Sequence, residues 1–183
     1  MQRNSRIDAG YRIDPVTDFS IFTGFTCLHP QDADRDLDEF LQEEAERHYQ
    51  DRIAVTYAMT RVDIPDIPLG FATLQNGAIV IDDKESLPMV QGYRYSAFPA
   101  VKIGRFGISF DFQGGGLGTL FLRLIKDLML LENRAGCRFI TVDARRDKKN
   151  KVDATGFYEV NGFSLLLCRA KTSRYIPMYF DLK

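Results

Sequence analysis

The sequence predicts an α/β domain whose mixed, mostly antiparallel central sheet is splayed at a β-bulge and flanked by helices. Three observations carry this expectation. Alternating apolar stretches of strand length, bounded by turn residues, outnumber helical ones. A leucine-rich amphipathic helix follows a strand directly, joined to it by "QGGGLG" at residues 113–118. The strand before those glycines changes its apolar phase partway along.

The elements follow in order. In "DADRDLDEFLQEEAERHYQ", Leu37, Phe40, Leu41, Ala45 and His48 fall at helical spacing, with Asp34 or Asp36 as the N-cap. "RIAVTYAMTR" alternates as a strand with Ile53, Val55, Tyr57 and Met59 on one face. "LGFATLQNGAIVI" reads as its antiparallel partner across a proline-marked loop, bent at "NG". In "PAVKIGRFGIS", Val101 and Ile103 alternate in one phase, Phe106 and Ile108 in the other, and Gly104 sits between them. A one-residue phase change beside glycine predicts a β-bulge, which bends the strand away from its neighbour. Beyond the glycines, Leu117, Phe121, Leu124, Leu128 and Leu131 step by four and three, the apolar face of a helix ending at "NRAG", with Gly136 in the left-handed C-terminal position. "CRFITVDA" predicts a buried strand, "DATGFYEV" a short helix closed by Asn161-Gly162, and "FSLLLCRA" with "RYIPMYFDL" a last antiparallel pair.

At 183 residues the chain has the size of one domain, and residues 1–183 are expected to form a single one. Lys plus Arg number 24 against 25 Asp plus Glu, so net charge advertises no nucleic-acid partner. Cys27, Cys137 and Cys168 are odd in number and lack CxxC spacing, which favours a reducing, cytoplasmic setting over a disulfide framework. The N-terminus has no apolar signal region, and the longest apolar stretch is broken by Lys126 and Asp127, so no membrane partner is expected.

The glycines pose the functional question. A helix start offers free N–H donors and about half a positive charge, and glycines let the backbone close on an anion there. "QGGGLG" therefore reads as a pyrophosphate cradle, against the simpler reading of a tight turn. It is not a P-loop, because Thr119 and Leu120 follow Gly118 where Lys and Ser/Thr are required. Nor is it the dinucleotide fingerprint, because Thr119 stands at the third glycine position.

Gln113-x-x-Gly116-x-Gly118 resembles the Q/R-x-x-G-x-G/A loop of the GNAT superfamily of acetyl-CoA-dependent N-acetyltransferases. "FYEVNGF" at residues 157–163 resembles that superfamily's F/L-Y-x-x-x-G-F segment, at the right distance from the loop, and the bulged strand lies where the family splays its sheet. The chain departs from the pattern at Lys151, where many members carry Asn. The resemblance implies acetyl-CoA as cosubstrate and no metal. Its pyrophosphate would lie on the backbone of Gln113, Gly114, Gly115, Gly116, Leu117, Gly118 and Thr119, and its pantetheine on the strand edge at Phe106, Gly107 and Ile108. Tyr158 corresponds to the general acid that protonates the departing thiolate. The simpler reading of Tyr158 is packing against Phe157.

The bulged strand offers no Asp, Glu or His as general base. His48 reads as packed, and Asp143 reads as a cap or an ion-pair partner before a base. A reaction with no protein base favours an α-amine, which titrates at about 7.7–8.0, over a lysine at about 10.4. "FTCLHPQDADRDLDEFLQEEAERH", "PAVKIGRFGIS" and "IPMYFDL" resemble segments of GNAT toxins that acetylate the α-amine of aminoacyl-tRNA. That branch implies tRNA and an antitoxin as partners, with a homodimer common in the family and no DNA contact. The basic run "RRDKKNK" at 145–151 would meet phosphates, or is a solvated loop. A small-molecule or peptide amine acceptor, and a non-catalytic acyl-CoA-binding module, remain the alternatives.

Overall fold

The computed structural model describes residues 6–8, 10–28, 35–81, 87–131, 135–147, 152–166 and 174–183. Among the described residues there are nine strands: β1 (Arg6–Asp8), β2 (Tyr11–Pro15), β3 (Val55–Arg61), β4 (Pro68–Val80), β5 (Ala97–Ile108), β6 (Phe139–Asp147), β7 (Val152–Asp153), β8 (Ser164–Leu165) and β9 (Tyr175–Asp181). A helical stretch follows β2 in three pieces: α1 (Asp36–Glu39), a π-helical turn (Phe40–Glu44) and α2 (Ala45–Gln50). The later helices are α3 (Leu117–Leu131) and α4 (Thr155–Val160). Strand order is β1-β2-β3-β4-β5-β6-β9-β8, with β7 on β6. β5 and β6 run parallel across the α3 connection, while β1–β2, β2–β3, β3–β4, β6–β7, β6–β9 and β8–β9 are antiparallel. The expected mixed, mostly antiparallel sheet is therefore present.

Two compact units make up the chain: residues 1–75 with 104–133, and residues 76–103 with 134–183. In the first, every residue from Thr56 to Thr60 is buried, so β3 is covered on both faces. Ala58 pairs with Phe71, and both join the cluster of Val16, Phe22, Phe25, Phe40, Leu41 and Ala45 from the N-terminal turn and helix. The other face shows Met59 paired with Gly70, where a side chain would meet Phe121 of α3. Of the predicted stripe of α3, Phe121, Leu124 and Leu128 are buried, Leu117 is half-buried and Leu131 is exposed, and Leu122 and Ile125 are buried beside it. In the second unit Ile79, Ile81, Leu87, Val90, Phe98, Ala100 and Phe139 form a separate cluster.

Several expectations need correction. Ile53 is exposed, because the strand begins only at Val55. Asp36 is the first helical residue rather than the cap, and its carboxylate faces Arg105 at 3.5 Å. Asp34, His29 and Cys168 lie outside the described residues. Gly136 does not adopt a left-handed conformation; the described part of α3 reaches Leu131, and residues 132–134, where its end is expected, lie outside the described residues. Burial along β5 falls on Phe98 and Ala100, then on Ile103 and Gly107, so the phase changes ahead of Gly104. A register shift also marks β3 against β4 at Met59/Thr60. The parallel register runs only from Ala100–Ile103 against Phe139–Val142, although β5 continues to Ile108 and β6 to Asp147. Ile103, the last paired residue of β5, also ends the first of the two segments of its unit.

Candidate functional site

The glycine turn is open. Gly114 and Gly116 adopt φ of +77° and +80°, a region that strains any residue with a Cβ, and a methyl group at either would meet no neighbour. All of Gln113, Gly114, Gly115, Gly116 and Thr119 are exposed, with Leu117 and Gly118 half-buried. The first helical bond of α3 runs from the Leu120 N–H to the Gly116 carbonyl. At that end the helix dipole adds partial positive charge. Positive-φ glycines, a helix N-terminus and open space are what a bound diphosphate requires.

Gln113 does not turn its side chain toward that space. Its Nε2 donates to the Cys27 carbonyl at 2.6 Å and to the Ile108 carbonyl at 3.0 Å, bracing the turn against the end of β5. The Ile108 carbonyl, expected to face pantetheine, is thus already engaged once. Behind it, Phe106 lies half-buried with its ring 5.3 Å from that of Phe121, and Gly107 is buried. The Phe110 N–H donates to the Thr26 carbonyl at 2.9 Å, and the Ser109 N–H to the Leu69 carbonyl at 2.8 Å. Phe106, Gly107, Ile108 and Gln113–Thr119 are therefore gathered in the first unit as one braced strand end and turn.

The segment before α1 completes this brace, a role the sequence alone did not suggest. Asp38, buried on α1, accepts from the Cys27 N–H at 2.9 Å and from the Thr26 hydroxyl at 2.5 Å. Burial, with a smaller push from Asp38, raises the Cys27 thiol to about 12. It is thus a packing group rather than a nucleophile. Arg105 lies over the Phe40 ring at 4.9 Å, with its Nη1 on the Gly104 carbonyl at 3.1 Å.

Tyr158 stands in the second unit, on α4. The helix ends as a Schellman motif: Phe163 N–H donates to the Tyr158 carbonyl at 3.0 Å, and Gly162 N–H to Glu159 at 2.9 Å, with Gly162 at φ +80°. The accompanying apolar contact is Tyr158 against Phe163, ring centroids 5.4 Å apart. The F-Y-x-x-x-G-F spacing is thus the chemistry of a helix stop. Tyr158 is buried, and burial pushes its phenol pKa well above the usual value. Such a group is protonated at neutral pH and, while buried, is a weaker acid than a free phenol.

The base candidates resolve as structural groups. Asp143 accepts from Lys102 Nζ at 2.6 Å. His48 packs its ring 5.3 Å from Phe40, with Glu44 at 3.8 Å. Of the basic run, Arg145 approaches Asp147 at 3.6 Å, as Arg174 does from β9's N-terminal side at 3.3 Å, and residues 148–151 lie outside the described residues.

This arrangement, a βαβ crossover opened by a glycine turn within a mostly antiparallel sheet, is the GNAT fold. Solved structures with the same fold include AtaTR bound with acetyl-CoA (21% identity over 96% of this chain and 95% of that one, TM-score 0.72). Others are a tyrosine-to-phenylalanine mutant of KacT (22%, 94% and 95%, TM-score 0.70) and AtaT complexed with acetyl-methionyl-tRNAfMet (21%, 93% and 94%, TM-score 0.66). At these identities the shared property is the fold. No protein-family model matches the chain, and no curated protein does.

Proposed function

We propose that residues 1–183 act as one acetyl-CoA-dependent N-acetyltransferase domain whose acceptor is the α-amine of aminoacyl-tRNA. The observation that carries this reading is the open turn at Gly114–Gly116, at the start of α3, in a fold shared along nearly its whole length with AtaT and KacT. The AtaT complex with acetyl-methionyl-tRNAfMet supports the choice of acceptor. By the same reasoning the protein works in the cytoplasm with an antitoxin partner, since AtaT has been solved with the C-terminus of the antitoxin AtaR. KacTA has been solved on DNA, but no DNA contact is proposed for this chain by itself.

When bound, acetyl-CoA would supply the activated acyl group. The chain's part is to hold and to donate. The N–H groups from Gly114 to Thr119 bind the diphosphate, the Gln113 N–H being taken by the Phe110 carbonyl at 3.3 Å, and the β5 edge at Phe106, Gly107 and Ile108 orients the pantetheine. Tyr158, protonated at neutral pH as an ordinary phenol is, gives its proton to the leaving sulfur; tyrosine is the residue replaced in the KacT and AtaT mutants. No protein base is assigned, because Asp143 is engaged by Lys102 and an α-amine is already partly neutral near pH 7.5.

Calorimetry with acetyl-CoA, then labelled acetyl-CoA with aminoacyl-tRNA, peptides and polyamines, tests the reading. Micromolar binding and label on the aminoacyl-tRNA are expected, with Tyr158→Phe lowering kcat at nearly unchanged acetyl-CoA affinity. No heat would overturn the cradle. Label only on peptides or polyamines would replace the acceptor, and binding without turnover would make the chain an acyl-CoA-binding module.

A further inference from the structure

We propose that Asp38 is a positioning residue for the glycine turn, acting through Thr26 and Cys27. The proposal rests on reading that turn as an acyl-CoA cradle, and it adds a residue from the N-terminal helix to the machinery that shapes it.

Asp38 is 4% exposed, and a buried carboxylate needs hydrogen-bond donors to offset its lost hydration. Its two oxygens take one each: Oδ1 from the Cys27 N–H and Oδ2 from the Thr26 hydroxyl, whose oxygen in turn accepts from the Leu28 N–H at 3.1 Å. Both residues so held pass the constraint onward through their carbonyls. Thr26 receives the Phe110 N–H, which opens the 3-10 turn Phe110–Phe112, and Cys27 receives Gln113 Nε2, which opens the glycine turn. Two hydrogen-bonded routes thus run from one carboxylate to the two ends of the segment that precedes Gly114. A backbone cradle loses affinity when its donors are displaced, since each must point at the ligand as the chain folds rather than after it binds.

Asparagine at position 38 separates geometry from charge. Its carbonyl can accept from Cys27 while its amide donates to the Thr26 hydroxyl oxygen, so Asp38→Asn preserves both links and Asp38→Ala removes both. In the full chain, Asp38→Ala should raise the Kd for coenzyme A about tenfold, the effect of one charge-assisted hydrogen bond. It should also speed amide hydrogen exchange without ligand at Phe110, Phe112 and Gln113, whose N–H groups are hydrogen-bonded in the braced segment, while Asp38→Asn stays near wild type in both. In a Gln113→Ala background, where the Cys27 route is already cut, the further loss on Asp38→Ala should shrink to about twofold. Should Asp38→Ala not fold, Thr26→Val carries the same comparison, with an expected loss of about threefold. A folded Asp38→Ala or Thr26→Val with unchanged affinity and unchanged exchange overturns the proposal, as does full additivity with Gln113→Ala. If wild type binds no coenzyme A, the cradle reading fails, and the exchange comparison still decides the role of Asp38.

Discussion

Replacing Gly107 by alanine puts a methyl carbon 2.4 Å from the Cys27 sulfur and 3.1 Å from the Phe71 ring. Ordinary contact lies near 3.5–4.0 Å, so the sulfur overlap exceeds about 1 Å while the ring needs to yield only a few tenths. Cys27 has little freedom to retreat, because its N–H is held by Asp38 and its carbonyl by Gln113. Overpacking of this kind costs about 2–3 kcal/mol, or about 4–12 °C in Tm for a chain this long. Cys27→Ala alone removes one buried atom and should cost about 1 kcal/mol. Joined in one chain, the two changes exchange the sulfur for the new methyl. Gly107→Ala/Cys27→Ala should therefore lie within about 1 kcal/mol of wild type, a coupling of about 2 kcal/mol. Urea unfolding of the four proteins measures this cycle. If the two costs simply add, Cys27 is not what the missing Cβ makes room for, and the packing described between β5 and the Thr26–Cys27 segment is wrong.

Three further outcomes are expected. The Cys27 thiol is raised from 9.0 to about 12 on folding, so the folded state holds its proton longer than the unfolded chain. Its contribution is complete below about pH 9 and is lost as pH climbs toward 12, by up to about 1.4 kcal/mol per pH unit. Cys27→Ala should flatten that decline, and an identical alkaline profile would contradict the burial. Gly162→Ala should cost about 1–2 kcal/mol by thermal denaturation, because residue 162 sits at φ +80° with the Phe180 ring 3.2 Å from the new methyl; a neutral result would deny the helix stop. Asp143→Asn should change stability by less than about 1 kcal/mol and leave kcat in place, since the Lys102 pair is exposed; a large fall in kcat would restore Asp143 as a base.

The parts of the molecule that sequence spacing revealed are those set by local rules. The face of α3 followed from leucines at three and four, and Gly162 from the need for a left-handed residue after α4. β1 and β2 escaped notice because "RID" and "YRIDP" look like a charged tail. Their strand character comes from pairing with β3, and the one clue was Ile13, fully buried opposite Met59. Asp38 shares a helix face with Leu41 and Ala45, a hint that it points inward, but the donors that justify its burial come from Thr26 and Cys27. Gln113 was legible as a motif position and not as a brace, since its acceptor lies far upstream at Cys27. Long-range partners are what spacing cannot supply.

Neither compact unit is a continuous piece of chain: the first closes only when residues 104–133 rejoin residues 1–75, with 76–103 made in between. On a ribosome the first core must wait for α3, so its β-strands emerge well before the helix that covers their second face. Such delayed closure slows folding and leaves strand surface bare for longer. The chain crosses between the units three times, and a cut at the middle crossing, between residues 103 and 104, would leave neither unit whole in either half.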